Sequence, residues 1–175
     1  RKFVMKAMIL AGGFGSRLAE ETDVRPKPMV EIGGRPIIWH IMQHYSRHGI
    51  QEFVIWLGYK AEAIKKFFID YAETLSDFTV DLSDGSVEIH KRKTEDWKVT
   101  LVDTGYNTMT GGRVKRAMQY IEPEETFCLT YGDGLANVDI TASIKFHESH
   151  GKLATVTAIT PPGRFGVLDI IDDNC

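Results

Sequence analysis

The sequence predicts an α/β fold of three layers, in which a mostly parallel sheet is covered by helices on both faces. Short apolar runs alternate along the chain with segments of helical period, the pattern that builds such a sheet. A glycine-rich turn follows the first apolar run directly, as strand-to-loop turns in parallel sheets do. The 175 residues, 43% hydrophobic and 26% charged, suffice for one ordinary domain with a sizeable core.

In chain order, 5–10 reads as the first buried strand. After the glycine turn and a proline-bearing loop, 36–48 reads as a helix with proline in its first turn and Gly49 as its stop. Residues 53–57 read as the next strand and 61–73 as an amphipathic helix. The runs 78–82 and 87–91 flank Ser83-Asp84-Gly85-Ser86, which predicts a hairpin inserted beside the main sheet. Further strands are expected at 99–102, 127–131 and 153–159, with helices at 113–120 and 140–150. A last strand at 165–171 runs into the turn-like Asp172-Asp173-Asn174 with no returning strand. The expected organisation is therefore a single domain over 1–175 whose sheet is completed by residues beyond Cys175.

Composition narrows the partners. A formal net charge of −3 gives no general electrostatic reason to bind nucleic acid or an anionic membrane, so a bound anion must be met by a local site. Cys128 and Cys175 form neither a disulfide framework nor a zinc spacing, which fits a reducing cytosol. No run approaches membrane-spanning length, and a cytoplasmic protein is expected.

The strongest local signal is Leu10-Ala11-Gly12-Gly13-Phe14-Gly15-Ser16-Arg17, directly after the first strand. Glycines let backbone N–H groups turn toward an anion without Cβ interference, and Arg17 adds a positive fork. The run matches neither a dinucleotide fingerprint nor a P-loop. A purely conformational turn is the competing account. In Pro26-Lys27-Pro28 two fixed φ angles make Lys27 depart from a stiff segment, as a charge clamp would, although alone it reads as a solvated lysine. Gly111-Gly112 precedes the helix bearing Arg113, Lys115 and Arg116, so amides and positive charge converge at one helix N-terminus; Lys115 and Arg116 read as solvated. In Tyr131-Gly132-Asp133-Gly134, Asp133 follows a buried strand at the carboxyl end where parallel sheets place ligands, and its carboxylate suits magnesium or else an ordinary turn. His40, His44 and His48 recur every four residues, but opposite the apolar stripe of their helix, where a solvent-facing row is the simpler account than zinc.

The first motif, followed by Pro26-Lys27-Pro28-Met29-Val30, resembles the signature of nucleoside-triphosphate-dependent sugar-1-phosphate nucleotidylyltransferases. The stretches Val102-Asp103-Thr104-Gly105, Met109-Thr110-Gly111-Gly112-Arg113, Tyr131-Gly132-Asp133-Gly134 and Pro161-Pro162-Gly163-Arg164-Phe165-Gly166 are similar to the glucose-1-phosphate cytidylyltransferase branch. The resemblance implies a Rossmann-like nucleotidyltransferase fold, here the nucleotide-binding portion without its C-terminal sugar-binding part. It implies Arg17 and Lys27 as phosphate-binding catalytic residues. Leu10, Ala11, Gly12, Gly13, Phe14, Gly15, Ser16, Thr108, Arg113 and Gly132 become nucleotide contacts, and Asp133 a Mg2+ ligand. Ser16 stands where threonine is usual, and Tyr106-Asn107-Thr108 replaces smaller and acidic residues. CTP and glucose 1-phosphate are the implied substrates, CDP-glucose and pyrophosphate the products, and a homo-oligomer the assembly. The alternatives are a uridylyl- or thymidylyltransferase, or a non-catalytic sensor subunit of the same fold.

Overall fold

A computed structural model describes residues 5–13, 25–91, 93–123 and 125–159. The chain divides into two compact units, Arg1–Asn137 and Val138–Cys175. The first unit opens with β1 (Lys6–Leu10), the 3-10 turn Lys27–Met29 and a two-residue ribbon of β2 (Glu31–Ile32) with β3 (Arg35–Pro36). Helix α1 (Ile37–Arg47), strand β4 (Glu52–Leu57) and helix α2 (Ala61–Leu75) follow. Next come the hairpin β5 (Asp77–Asp81) and β6 (Ser86–Lys91), strand β7 (Lys98–Asp103), helix α3 (Thr110–Ala117) and β8 (Cys128–Tyr131). The second unit holds α4 (Ile140–His150).

Strands β7, β4, β1 and β8 form one sheet in that order, and each neighbouring pair is parallel. Parallel strands covered on both sides need apolar side chains at successive positions, which is why β1 and β4 read as unbroken apolar runs. Met8, Ile9, Ile55, Trp56 and Leu57 are fully buried. On one face Met8, Leu10, Val54, Trp56 and Val102 pack with Ala117 of α3 and with Ile121. On the other, Phe53 meets Trp97 at 5.7 Å between ring centroids, and Trp97 meets Trp39 of α1 at 6.1 Å. Tyr45 of α1 hydrogen-bonds Thr130, which stands level with Ile9, and burial pushes its phenol up. Helices thus cover both faces, and each fully buried large side chain stabilises the sheet by roughly 1.5–3 kcal/mol.

The expected elements recur with shifted ends. Gly49, at φ +86°, closes α1 as anticipated. The hairpin makes its own two-stranded sheet; Asp81 accepts from the Ser83 amide at 2.9 Å and Asp84 from the Ser86 amide at 2.8 Å. Helix α3 starts at Thr110, so Gly111 and Gly112 lie inside its first turn rather than before it. The strand expected at 153–159 does not form. Among the described residues of its unit there is only α4, capped by Asp139 on the Ala142 amide and closed by Gly151, and no strand for it to pair with; Leu153 and Val156 stand in solvent. The strand at 165–171 and the turn after it lie outside the described residues.

A polar and aromatic bracket ties α1, α2 and the approach to β7. Trp39 Nε1 donates to Tyr71 Oη at 2.7 Å and to Glu95 Oε1 at 3.1 Å, while Tyr71 donates to Glu95 Oε2 at 2.8 Å. The Arg35 guanidinium lies 5.6 Å from the Trp39 ring centroid and 5.7 Å from that of Tyr71. Burial, then the hydrogen bond and charge of Glu95, push the Tyr71 phenol from 10.0 up to about 12. Its folded pKa exceeds its unfolded one, so the folded state binds the extra proton between them. The stabilisation is complete below pH 10.0 and is lost as pH rises to about 12. Thermal unfolding followed across that window is expected to show a falling midpoint whose slope is shallower in Tyr71→Phe; equal slopes would remove Tyr71 as its source.

Candidate functional site

The chain leaves β1 for β4 on one side and later returns to β8 on the other, so the carboxyl end of β1 is where the connections part. In open α/β sheets such a switch point opens a crevice for ligands. Leu10 ends β1, and Ala11, Gly12 and Gly13 follow it at that switch point. The Ala11 amide still donates to Trp56 O at 3.0 Å, and the Gly132 amide beyond β8 donates to Leu10 O at 2.8 Å. Phe14, Gly15, Ser16 and Arg17 lie outside the described residues, as does Pro161-Pro162-Gly163-Arg164-Phe165-Gly166.

Lys27 sits in a 3-10 turn that Pro26 and Pro28 prepare by fixing φ. Backbone bonds from Met29 N to Pro26 O at 2.8 Å and from Val30 N to Lys27 O at 3.0 Å close the turn. Its ammonium stands 3.8 Å from Asp133 Oδ2; the lysine side chain is 17% exposed and the aspartate 43%. A Cβ on Gly132 would come within 3.1 Å of Leu10 O and 3.2 Å of Pro28 Cγ. Glycine at 132 thus fits the close approach of the ends of β1 and β8 and the lysine turn without crowding. The structure therefore brings Leu10, Ala11, Gly12, Lys27, Gly132 and Asp133 together from three separate segments.

Arg113 behaves differently from a cation at an open helix end. It is 5% exposed, and its guanidinium turns inward. Nη1 donates to Leu57 O at 3.0 Å, Thr104 Oγ1 at 2.6 Å and Gly105 O at 2.8 Å. Nη2 donates to Gly12 O at 2.9 Å and Tyr106 O at 3.2 Å. All five acceptors are neutral. Burial, then the charge of Arg116, lower its pKa, against a smaller opposing effect of Asp103. Arg116 is not a merely solvated charge either: its Nη1 donates to Thr104 O at 2.6 Å and Thr108 Oγ1 at 2.8 Å. Thr108 is thereby held against α3, and a Cβ on Gly112 would meet its methyl at 2.7 Å.

Gly58 and Thr104 also belong to this arrangement: Thr104 lay in the stretch Val102-Asp103-Thr104-Gly105 without an assigned role, and no motif pointed to Gly58. Gly58 follows β4 as Gly12 follows β1, and that parallel placement of glycine after a buried strand was the available signal. Lys60, two residues on, holds φ +53° where α2 begins, and among the described residues it is the one non-glycine with positive φ. His40 Nε2 pairs with Ile32 O at 2.9 Å, and the His44 and His48 rings lie 5.2 Å apart. Among the described residues no group of three or more His, Cys, Asp or Glu is placed to hold a metal. A hard cation that takes one carboxylate and completes its shell with substrate oxygens and water is compatible with Asp133; a closed protein cage is not. Among them, too, no helix is long and apolar enough to cross a membrane.

Comparison with known proteins follows the same lines. The chain is 58% identical over 95% of its length to the glucose-1-phosphate cytidylyltransferase of Salmonella typhimurium, of which it covers 65%. It is 47% identical over 96% of its length to a probable glucose-1-phosphate cytidylyltransferase of Bacillus subtilis, again covering 65%. The chain thus spans a little under two thirds of these relatives. In structure it is similar to HddC from Yersinia pseudotuberculosis, solved with GMP-PN, at 28% identity and a TM-score of 0.60 over 82% of this chain and 54% of that one. The description of one family fits residues 6–174, from the first residue of β1 onward, and by that match the chain belongs to the nucleotidyl transferase family.

Proposed function

We propose that the protein transfers a cytidylyl group from CTP to glucose 1-phosphate, forming CDP-glucose and releasing pyrophosphate. The observation that carries this reading is the 58% identity, across 95% of the chain, to the Salmonella typhimurium glucose-1-phosphate cytidylyltransferase. A sugar 1-phosphate oxygen attacks the α-phosphorus, the bond to the bridging oxygen breaks, and pyrophosphate leaves. The second pKa of a phosphate monoester is about 6, so the nucleophile is already largely dianionic at neutral pH and needs no general base. The task left to the protein is positioning and charge neutralisation.

The glycine-loop amides from Gly12 onward are proposed to receive the triphosphate, with Arg17 and Lys27 neutralising the charge that grows on the leaving group. Lys27 then exchanges its Asp133 partner for phosphate oxygens. Bound Mg2+, held by Asp133 with substrate oxygens and water, would supply further neutralisation there. Thr108, fixed by Arg116, fits the edge beside the base. Arg113 has its donors engaged by five protein acceptors, so its part differs from that of a simple contact. The assembly we propose is a homo-oligomer in the cytoplasm.

Cytosine and uracil differ at position 4 and N3, and a site built for one leaves a polar group unpaired with the other. With glucose 1-phosphate, kcat/KM for CTP is expected to exceed that for UTP or dTTP by roughly tenfold or more. Equal use of UTP or dTTP in side-by-side assays would reject the cytidylyl assignment.

Lys27→Ala is expected to lower turnover by about a hundredfold with little change in thermal midpoint, since a charge clamp serves the transition state more than the fold. Asp133→Asn keeps shape and loses charge, so the magnesium dependence of turnover should collapse. Near-normal turnover in the first variant removes the clamp, and an unchanged metal titration in the second returns Asp133 to a turn residue.

A further inference from the structure

The Arg113 guanidinium joins three strand ends at once. Through Gly12 O it holds the loop after β1, through Leu57 O the end of β4, and through Thr104 Oγ1, Gly105 O and Tyr106 O the segment after β7. The slot it fills is lined by glycine on two sides. A Cβ on Gly12 would lie 2.5 Å from Nη1 and 2.7 Å from Cζ, and a Cβ on Gly58 would lie 2.5 Å from Nη1, 2.7 Å from Nη2 and 2.7 Å from Gly12 O. These are contacts real Cβ atoms do not make, and on the Gly58 side they fall on the immobilised fork and on backbone. Thr104 completes the slot: it is fully buried, and its hydroxyl donates to Leu57 O at 2.6 Å while accepting from Arg113.

We propose that Arg113 is a positioning residue: its buried fork sets where the glycine loop stands relative to the ends of β4 and β7, and Gly58 must be glycine because that fork occupies the space of its side chain. A planar five-donor group can satisfy carbonyls arriving from several directions, which a lysine ammonium at the same place cannot. Gly12 in this arrangement serves the loop through its carbonyl and its missing side chain, a separate use from offering an amide to phosphate. The proposal rests on the reading of the glycine loop as the triphosphate site, because the loop's position is what nucleotide affinity would report.

The decisive experiment compares Arg113→Lys and Gly58→Ala with wild type by two readouts. In ligand-free protein, hydrogen exchange of the amides of residues 10–13 is expected to speed up by roughly tenfold in both variants, while the central amides of β4 keep their protection. By titration, the Kd for CTP is expected to weaken by roughly tenfold or more in both, since loop misplacement is felt at the bound phosphates. Chemical rescue separates positioning from general damage. Methylguanidinium should restore CTP affinity to Arg113→Ala and fail to do so in Arg113→Ala combined with Gly58→Ala, whose Cβ fills the slot. Wild-type loop exchange in Arg113→Lys, or a neutral Gly58→Ala, overturns the proposal even if one of the variants proves hard to fold. Wild-type protein that binds no CTP would instead sink the proposed function, and the exchange measurement, which needs no nucleotide, would still decide the clamp.

Discussion

Strand β1 is hydrogen-bonded in parallel along both edges, to β4 on one side and β8 on the other, and the site depends on that placement. A strand paired on both edges has no freedom to shift along its axis, so the loop leaving Leu10 starts from a fixed point. Ladder-like bonds continue past the strand ends, from Ala11 N to Trp56 O and from Gly132 N to Leu10 O. The rigid sheet thus reaches to the very residues that the glycine loop and Asp133 spring from. Function placed on loops is accurate only when a scaffold positions their roots, and here the roots are the last rungs of a parallel ladder.

The electrostatics follow from the same geometry. The chain as a whole is slightly acidic, yet the end of β1 has a buried guanidinium held by neutral acceptors and a lysine whose nearby partner is an exposed carboxylate. Hydrogen bonds to a charged group contribute about 1.5–3 kcal/mol each, which offsets the several kcal/mol that desolvating an ion costs. They leave the charge itself uncancelled. The loop therefore stands beside a charge that the fold solvates without cancelling, which suits the polyphosphate ligand proposed above. The Lys27–Asp133 pair is the adjustable part: at 3.8 Å, with Asp133 partly exposed, it is worth little as a salt bridge, so the exchange of partners proposed above costs the fold little.

The sheet and most helices were legible because burial on both faces of β1 and β4 requires apolar runs, and because Gly49 and the turn at 83–86 punctuate the chain where positive φ or side-chain capping is needed. The lysine turn and the two glycine-bearing strand ends were legible as a shared pattern, and the structure draws Lys27, Gly132 and Asp133 together. What the sequence did not disclose has identifiable causes. Arg113 read as positive charge at an open helix N-terminus because its helix was started at 113. The helix begins at Thr110, and the Arg113 guanidinium is engaged by buried backbone carbonyls and Thr104, partners distant in sequence that no local pattern discloses. The run 153–159 has the composition of a strand, but strand identity is conferred by a partner, which the described residues of its unit do not provide. Gly58 stayed invisible because its reason is a side chain 55 positions away in sequence.

The glycines show why residue type alone underdetermines role. Gly12, Gly58 and Gly132 follow three of the four strands of the sheet, and each has a neighbour where its Cβ would stand: Arg113 for the first two, Leu10 O and Pro28 for the third. Gly13 has open space on that side, and it is exposed. Read from sequence, Gly12 and Gly13 are one motif with one purpose. In the folded chain the first is committed to packing at the junction of three strands, and the second is exposed, with none of the described residues beside it. Close approach of protein to protein accounts for the one. For the other, the described residues leave open space beside the loop, and that is the side on which the proposed triphosphate would pass.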